Sequence, residues 1–128
     1  MKILVIDDDE HVRLMVTKAL QRGGFEVDTA DDGRRGMDFV RRHRPQLVVT
    51  DIFMPEQEGI ETILELRRDY PDIKILAMSG SGPIGGAGLL KMARQLGADD
   101  AIAKPFRPRD LLARVRALTD AGMEDAPA

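Results

Sequence analysis

The stretch Leu47-Val48-Val49-Thr50-Asp51, with Ile52-Phe53-Met54-Pro55 behind it, decides the fold. Its apolar, β-branched residues predict a buried strand, which ends on one carboxylate shortly before a proline breaks the chain. A carboxylate at the C-terminal end of a parallel strand sits in the crevice where open α/β sheets bind ligands. A lone aspartate there reads as a helix N-cap or a loop residue, but Asp51 is not alone. Lys2-Ile3-Leu4-Val5-Ile6 runs into Asp7-Asp8-Asp9, Lys74-Ile75-Leu76-Ala77-Met78 into Ser79, and Ala101-Ile102-Ala103 into Lys104-Pro105. Several strands therefore finish in polar groups of complementary chemistry.

Outward from that stretch, strand-like and helix-like segments alternate. Val12, Met15, Val16, Ala19 and Leu20 recur at helical spacing, and Gly23-Gly24 ends that helix. The run from Phe25 to Thr29 alternates apolar and polar residues, as an edge strand covered on one face does. Asp32 is expected to N-cap a second helix carrying Met37, Phe39 and Val40, which Pro45 stops. A third helix from about Glu58 carries Ile60, Ile63, Leu64 and Leu66 and closes at Tyr70-Pro71. A fourth uses Leu89, Leu90, Met92, Ala93 and Leu96, and a last one Leu111, Leu112, Val115 and Leu118.

Five strands alternating with five helices predict a parallel sheet covered on both faces. Right-handed crossovers leave few topologies, and the flavodoxin-like order 2-1-3-4-5 is the commonest for this count. The expectation is one doubly wound α/β domain over residues 1–119, with 120–128 a disordered tail.

Composition bounds the function. A chain of 128 residues, 43% hydrophobic and 32% charged, has the size and make-up of one globular domain and not of a disordered segment. A net charge of -3 argues against a nucleic-acid partner bound through phosphate neutralisation. The absence of cysteine excludes disulfides and thiolate metal sites. The opening apolar run is too short for a signal peptide core or a membrane span, so the expected location is cytoplasmic, with no membrane partner.

In the 2-1-3-4-5 order the first strand lies beside the third, so Asp7, Asp8 and Asp51 converge, with Ser79 and Lys104 on the strands beyond. Clustered carboxylates repel one another unless a cation neutralises them. With oxygen ligands on offer and no paired histidines, Mg²⁺ fits best. Lys104 is a point charge suited to a phosphoryl oxygen, and Ser79 can donate a hydrogen bond to another. A metal, a cation, a hydroxyl donor and a carboxylate nucleophile are the parts of a phosphoryl-transfer site.

These pieces resemble the receiver domains of two-component response regulators, the CheY-like superfamily, over about residues 1–119. The matching segments are Ile3-Leu4-Val5-Ile6-Asp7-Asp8-Asp9, Asp51-Ile52-Phe53-Met54-Pro55 with Gly59, Ser79-Gly80, Gly97-Ala98-Asp99-Asp100 and Lys104-Pro105-Phe106. The resemblance implies that Asp51 accepts a phosphoryl group from the phosphohistidine of a histidine kinase or phosphotransfer protein. It implies that Asp8 and Asp51 ligate Mg²⁺ directly, with Asp7 acting through water and Phe53 offering its backbone carbonyl. Ser79 and Lys104 would hold the phosphoryl oxygens, and the Lys104-Pro105 bond would be cis. Such a domain is not an enzyme in the ordinary sense, since it catalyses only its own phosphorylation and dephosphorylation. It would signal to a downstream protein through the face built by its fourth helix, fifth strand and fifth helix.

The sequence departs from that family in three places. Ala101 stands where the family's switch aromatic is expected, which implies either drift or a different output route. The interval from Ser79 to Lys104 is a few residues longer than is usual in that family, with the surplus in Gly80 to Gly88, a flexible stretch expected to order on phosphorylation or partner docking. Phe53, two positions after Asp51, is expected to shield an acyl phosphate from water and slow its loss.

Other readings are weaker. A pseudo-receiver that binds partners without phosphate is the principal alternative. Gly80 to Gly85 matches G-x-G-x-x-G, but Asp99 and Asp100 precede a strand, whereas a ribose-binding acid follows one. An aspartyl-phosphate phosphatase wants Asp-x-Asp-x-Thr/Val, and Asp7-Asp8-Asp9-Glu10-His11 fails at the last position. His11, His43 and the arginines at 34, 35, 41, 42 and 44 and at 107, 109, 114 and 116 are expected to face solvent.

Overall fold

The computed structural model describes residues 1–55, 58–80 and 86–124. Ten elements alternate: β1 (Lys2–Ile6), α1 (Glu10–Arg22), β2 (Glu26–Ala30), α2 (Gly33–His43), β3 (Leu47–Asp51), α3 (Glu58–Asp69), β4 (Lys74–Ser79), α4 (Gly86–Leu96), β5 (Asp100–Ala103) and α5 (Pro108–Glu124). The strands form one parallel sheet in the order β2-β1-β3-β4-β5, the flavodoxin-like topology expected. β1 pairs with β3 so that Ile6 stands opposite Thr50, which leaves Asp7 and Asp51 side by side just past the pairing.

The period of two along each strand sorts the apolar residues into two cores. Leu4, Ile6, Val48, Ile75 and Ala77 face α2, α3 and α4 through Val40, Ile63, Leu66 and Ala93. Ile3, Val5, Leu47, Val49, Leu76 and Met78 face α1 and α5 through Val16, Leu20, Leu111 and Val115. β3 is buried throughout, because it is the central strand with a neighbour on each side and helices on both faces. β2 keeps only its last residue buried, as an edge strand should.

The helix ends follow local chemistry. Asp32 caps α2 by accepting from the Arg35 amide at 2.7 Å, as its position predicts. Asp9 caps α1 by accepting from the His11 amide at 2.9 Å, a role separate from that of its acidic neighbours. α2 ends at Arg44, which adopts the left-handed conformation and places its guanidinium over the Tyr70 ring.

α5 differs from expectation. It runs to Glu124, so residues 120–124, expected as tail, carry helical backbone. The remaining tail, 125–128, and most of the glycine-rich surplus, 81–85, lie outside the described residues.

Candidate functional site

The site forms where β1, β3, β4 and β5 end. Asp7 is fully buried at the end of β1. Its Oδ1 accepts from the Asp9 amide at 2.9 Å, its Oδ2 from Lys104 Nζ at 2.7 Å, and its backbone carbonyl from Arg13 Nη1 at 2.7 Å. Asp51 is nearly as buried. Its Oδ1 accepts from the Phe53 amide at 3.2 Å and its Oδ2 from Lys104 Nζ at 3.1 Å. Lys104 therefore bridges two carboxylates that arrive from different strands. Asp8 stands exposed at the rim, and one carboxylate oxygen from each of Asp7, Asp8 and Asp51 lies within 4.8 Å of the others.

Ser79 is buried at the end of β4, opposite Ala103 of β5, and its carbonyl accepts from the Lys104 amide at 2.7 Å. That bond fixes the start of the Lys104-Pro105 loop, whose peptide is cis, as expected. All six residues singled out in the sequence, Asp7, Asp8, Asp51, Phe53, Ser79 and Lys104, thus come to one edge of the sheet.

Electrostatics follow from burial. Burial pushes the Asp51 carboxyl above the ordinary carboxylate range; Lys104 pulls it back and Asp7 adds to the rise. Burial also works against the charge on Lys104. The combined hydrogen bonds and attraction of Asp7 and Asp51 overcome it and leave the ammonium held above its usual range. Three carboxylates face one ammonium, which leaves two negative charges uncompensated. An all-oxygen donor set with that imbalance fits one hard divalent cation, Mg²⁺ among them.

The backbone under the site is equally defined. Gly59 lies directly against the carbonyls of Asp51 and Ile52, where any Cβ would collide with backbone. Beside Lys104 opens a cavity of about 390 Å³, lined by Val12, Met15, Gly80, Pro105 and Phe106.

A family model described as the response regulator receiver domain matches residues 3–116. The chain belongs to that family. As a receiver it is a component of two-component signalling. It is 40% identical over 119 residues to the response regulator MprA of Mycolicibacterium vanbaalenii, an alignment covering 91% of this chain and 49% of that protein. The chain spans about half the length of the curated relatives it matches. Among solved structures, it is similar to the chemotaxis protein CheY4 of Vibrio cholerae, with 30% identity, a TM-score of 0.80 and coverage of 91% of this chain and 96% of that one. A CheY-like receiver domain protein from Methanospirillum hungatei superposes with a TM-score of 0.86 at 26% identity, covering 98% of each chain. No helix among the described residues is long and apolar enough to cross a membrane.

At the receiver's switch position Ala101 is buried in the same apolar cluster as Leu89, Ala93 and Ala98, so α4 packs directly on it. Phe53 packs part of its ring against that cluster as well. Arg114 is exposed, as expected, and also reaches from α5 to the Ala101 carbonyl at 2.7 Å and to Asp100 at 3.1 Å. Sequence reasoning missed two residues that shape the site, Arg13 under Asp7 and Glu58 at the start of α3. Each acts on backbone outside its own helix, six residues away for Arg13 and 25 for Glu58, and a lone polar residue on a helix gives no periodic signal of such a partner.

Proposed function

We propose that this receiver takes a phosphoryl group on Asp51 from the phosphohistidine of a histidine kinase or phosphotransfer protein. An Oδ atom of Asp51 attacks phosphorus, the phosphorus–nitrogen bond breaks, and the electron pair leaves with the imidazole, which then holds a proton. Lys104 would balance charge on the phosphoryl oxygens, and Ser79 would donate to one of them. Asp8 and Asp51 would bind Mg²⁺ directly, Asp7 through water and Phe53 through its carbonyl. When bound there, Mg²⁺ would supply positive charge to the phosphoryl oxygens. Phe53, two positions after Asp51, would slow hydrolysis by excluding water.

The single observation that carries this reading is the Lys104 ammonium shared between Asp7 and Asp51, with Asp8 at the rim. The chain acts only on itself and has no second substrate to turn over. Its output is a protein contact on the α4–β5–α5 face, made in the cytoplasm, and residues 1–128 contact no nucleic acid directly. A phosphate-independent pseudo-receiver is the second reading, favoured only by Ala101 at the switch position.

Intact mass after incubation with a small acyl phosphate and Mg²⁺ tests the proposal. One added phosphoryl group is expected, absent from Asp51→Asn and from a chelated control. No adduct with Mg²⁺ shown to bind, together with no change in the amide spectrum on adding the phosphoryl mimic beryllofluoride, leaves the pseudo-receiver, whereas a beryllofluoride response without an adduct means hydrolysis too fast to trap.

A further inference from the structure

Two helix N-termini meet behind the acceptor strand. Glu58 opens α3, and its Oε2 accepts from the amide of Gly33, the first residue of α2, at 3.0 Å. The first amides of a helix have no partner within it, and the helix dipole favours negative charge there. Asp32 satisfies one such amide of α2 from its own chain segment; Glu58 satisfies another from a different helix. The approach is close because Gly33 has no side chain: a Cβ there would strike Thr62 Oγ1 of α3 and crowd the Glu58 carbonyl. The next residue of α3, Gly59, rests on the Asp51 and Ile52 carbonyls. The first turn of α3 thus touches α2 on one side, through Glu58, and the Asp51 backbone on the other, through Gly59.

The geometry points to Glu58 as a positioning residue, a clamp that ties the start of α3 to α2 and so holds the backbone around Asp51 in its metal-binding arrangement. Glu58 is not one of the converging carboxylates and contributes no metal ligand. Its effect is on backbone, and a backbone donor such as the Phe53 carbonyl has no side-chain rotamer with which to recover a lost position. The inference rests on the Mg²⁺ reading proposed above. It adds that α2, which holds no residue of the site, sets the site's affinity.

Calorimetric titration of Mg²⁺ into the wild type, Glu58→Gln, Glu58→Ala and Glu58→Asp tests the clamp. Glu58→Gln keeps an acceptor oxygen at the same reach and is expected to bind as the wild type does. Glu58→Ala is expected to bind roughly tenfold more weakly, the scale seen when a partner that orients a metal ligand is lost. Glu58→Asp retains a negative charge in the first turn of its own helix, where the dipole favours it, but is too short to reach Gly33. It should fold even where the alanine variant does not, and should also bind weakly. In all four, phosphorylation from an acyl phosphate should reach the wild-type rate at saturating Mg²⁺, because only the half-saturating concentration moves. Wild-type affinity in Glu58→Asp would overturn the clamp while leaving the metal reading intact. Failure of the wild type itself to bind Mg²⁺ would overturn both.

Discussion

Asp51 is held by opposing forces. Burial disfavours its charge, while Lys104 and the Phe53 amide favour it, and burial prevails. A carboxyl whose folded pKa is raised makes stability depend on pH in a definite sense. Below the ordinary carboxylate range both states hold the proton and there is no penalty. As pH rises toward the folded value, the unfolded chain releases its proton while the folded chain still keeps it, so the folded state loses ground; above that value the penalty is complete. Asn at this position keeps an oxygen for Lys104 and has no charge to bury. Metal-free Asp51→Asn is therefore expected to be more stable than the wild type at neutral pH, with the advantage shrinking as pH falls through the carboxyl's titration. Paired urea unfolding curves across that range measure it, and a difference that stays constant with pH would contradict this account.

At the scale of elements, α3 is the piece that ties the molecule together. Its first turn meets α2 and the end of β3. Its last turn carries Arg67, which donates to the carbonyls of Gly97 at 2.7 Å and Pro71 at 3.0 Å and to Asp99 at 2.9 Å. Asp99 in turn accepts from the Ile75 amide at 2.8 Å, so one guanidinium joins the ends of α3 and α4 to the start of β4. Arg67→Met keeps the length of the side chain and removes every one of these bonds. It is expected to cost about 1–3 kcal/mol, the range for hydrogen bonds to charged groups. Urea denaturation should show a lower midpoint with an unchanged slope; an unchanged midpoint would mean that packing alone sets the α3–α4 junction. These braces explain which parts of the structure were legible in the sequence. Strand ends were legible because an apolar run stopping at Asp51, Ser79 or Lys104 is a local pattern, and parallel topology then gathers such ends on one edge. Arg67 and Glu58 were not, because their partners lie far along the chain and one polar residue on a helix face looks like any other. The length of α5 was missed for another reason. Residues beyond Leu118 lack apolar spacing, yet a helix already nucleated extends at little cost through residues such as Ala121 and Met123.

Over the whole molecule, the uncompensated charge at the sheet edge links metal binding to folding. Residues 7, 8 and 51 come together only through the pairing of β1 with β3, so the unfolded chain has no comparable site. A ligand that binds only the folded state stabilises it by mass action, about 2.7 kcal/mol at a hundredfold excess over its Kd. Mg²⁺ at that excess is accordingly expected to raise the unfolding midpoint, and a chelator to return it. Asp8→Ala separates this linkage from packing, because Asp8 is exposed while Asp7 and Asp51 are buried and bonded to Lys104. Removing it deletes a ligand of the proposed Mg²⁺ site and one repulsive charge without opening a cavity. The variant should therefore equal or exceed the wild type in stability without metal and gain little when Mg²⁺ is added. Thermal unfolding of both proteins with and without Mg²⁺ decides the point. A full Mg²⁺ increment in Asp8→Ala would place the ion away from this edge, whereas a metal-free protein weakened by the substitution would mean that Asp8 serves the fold and not the ion.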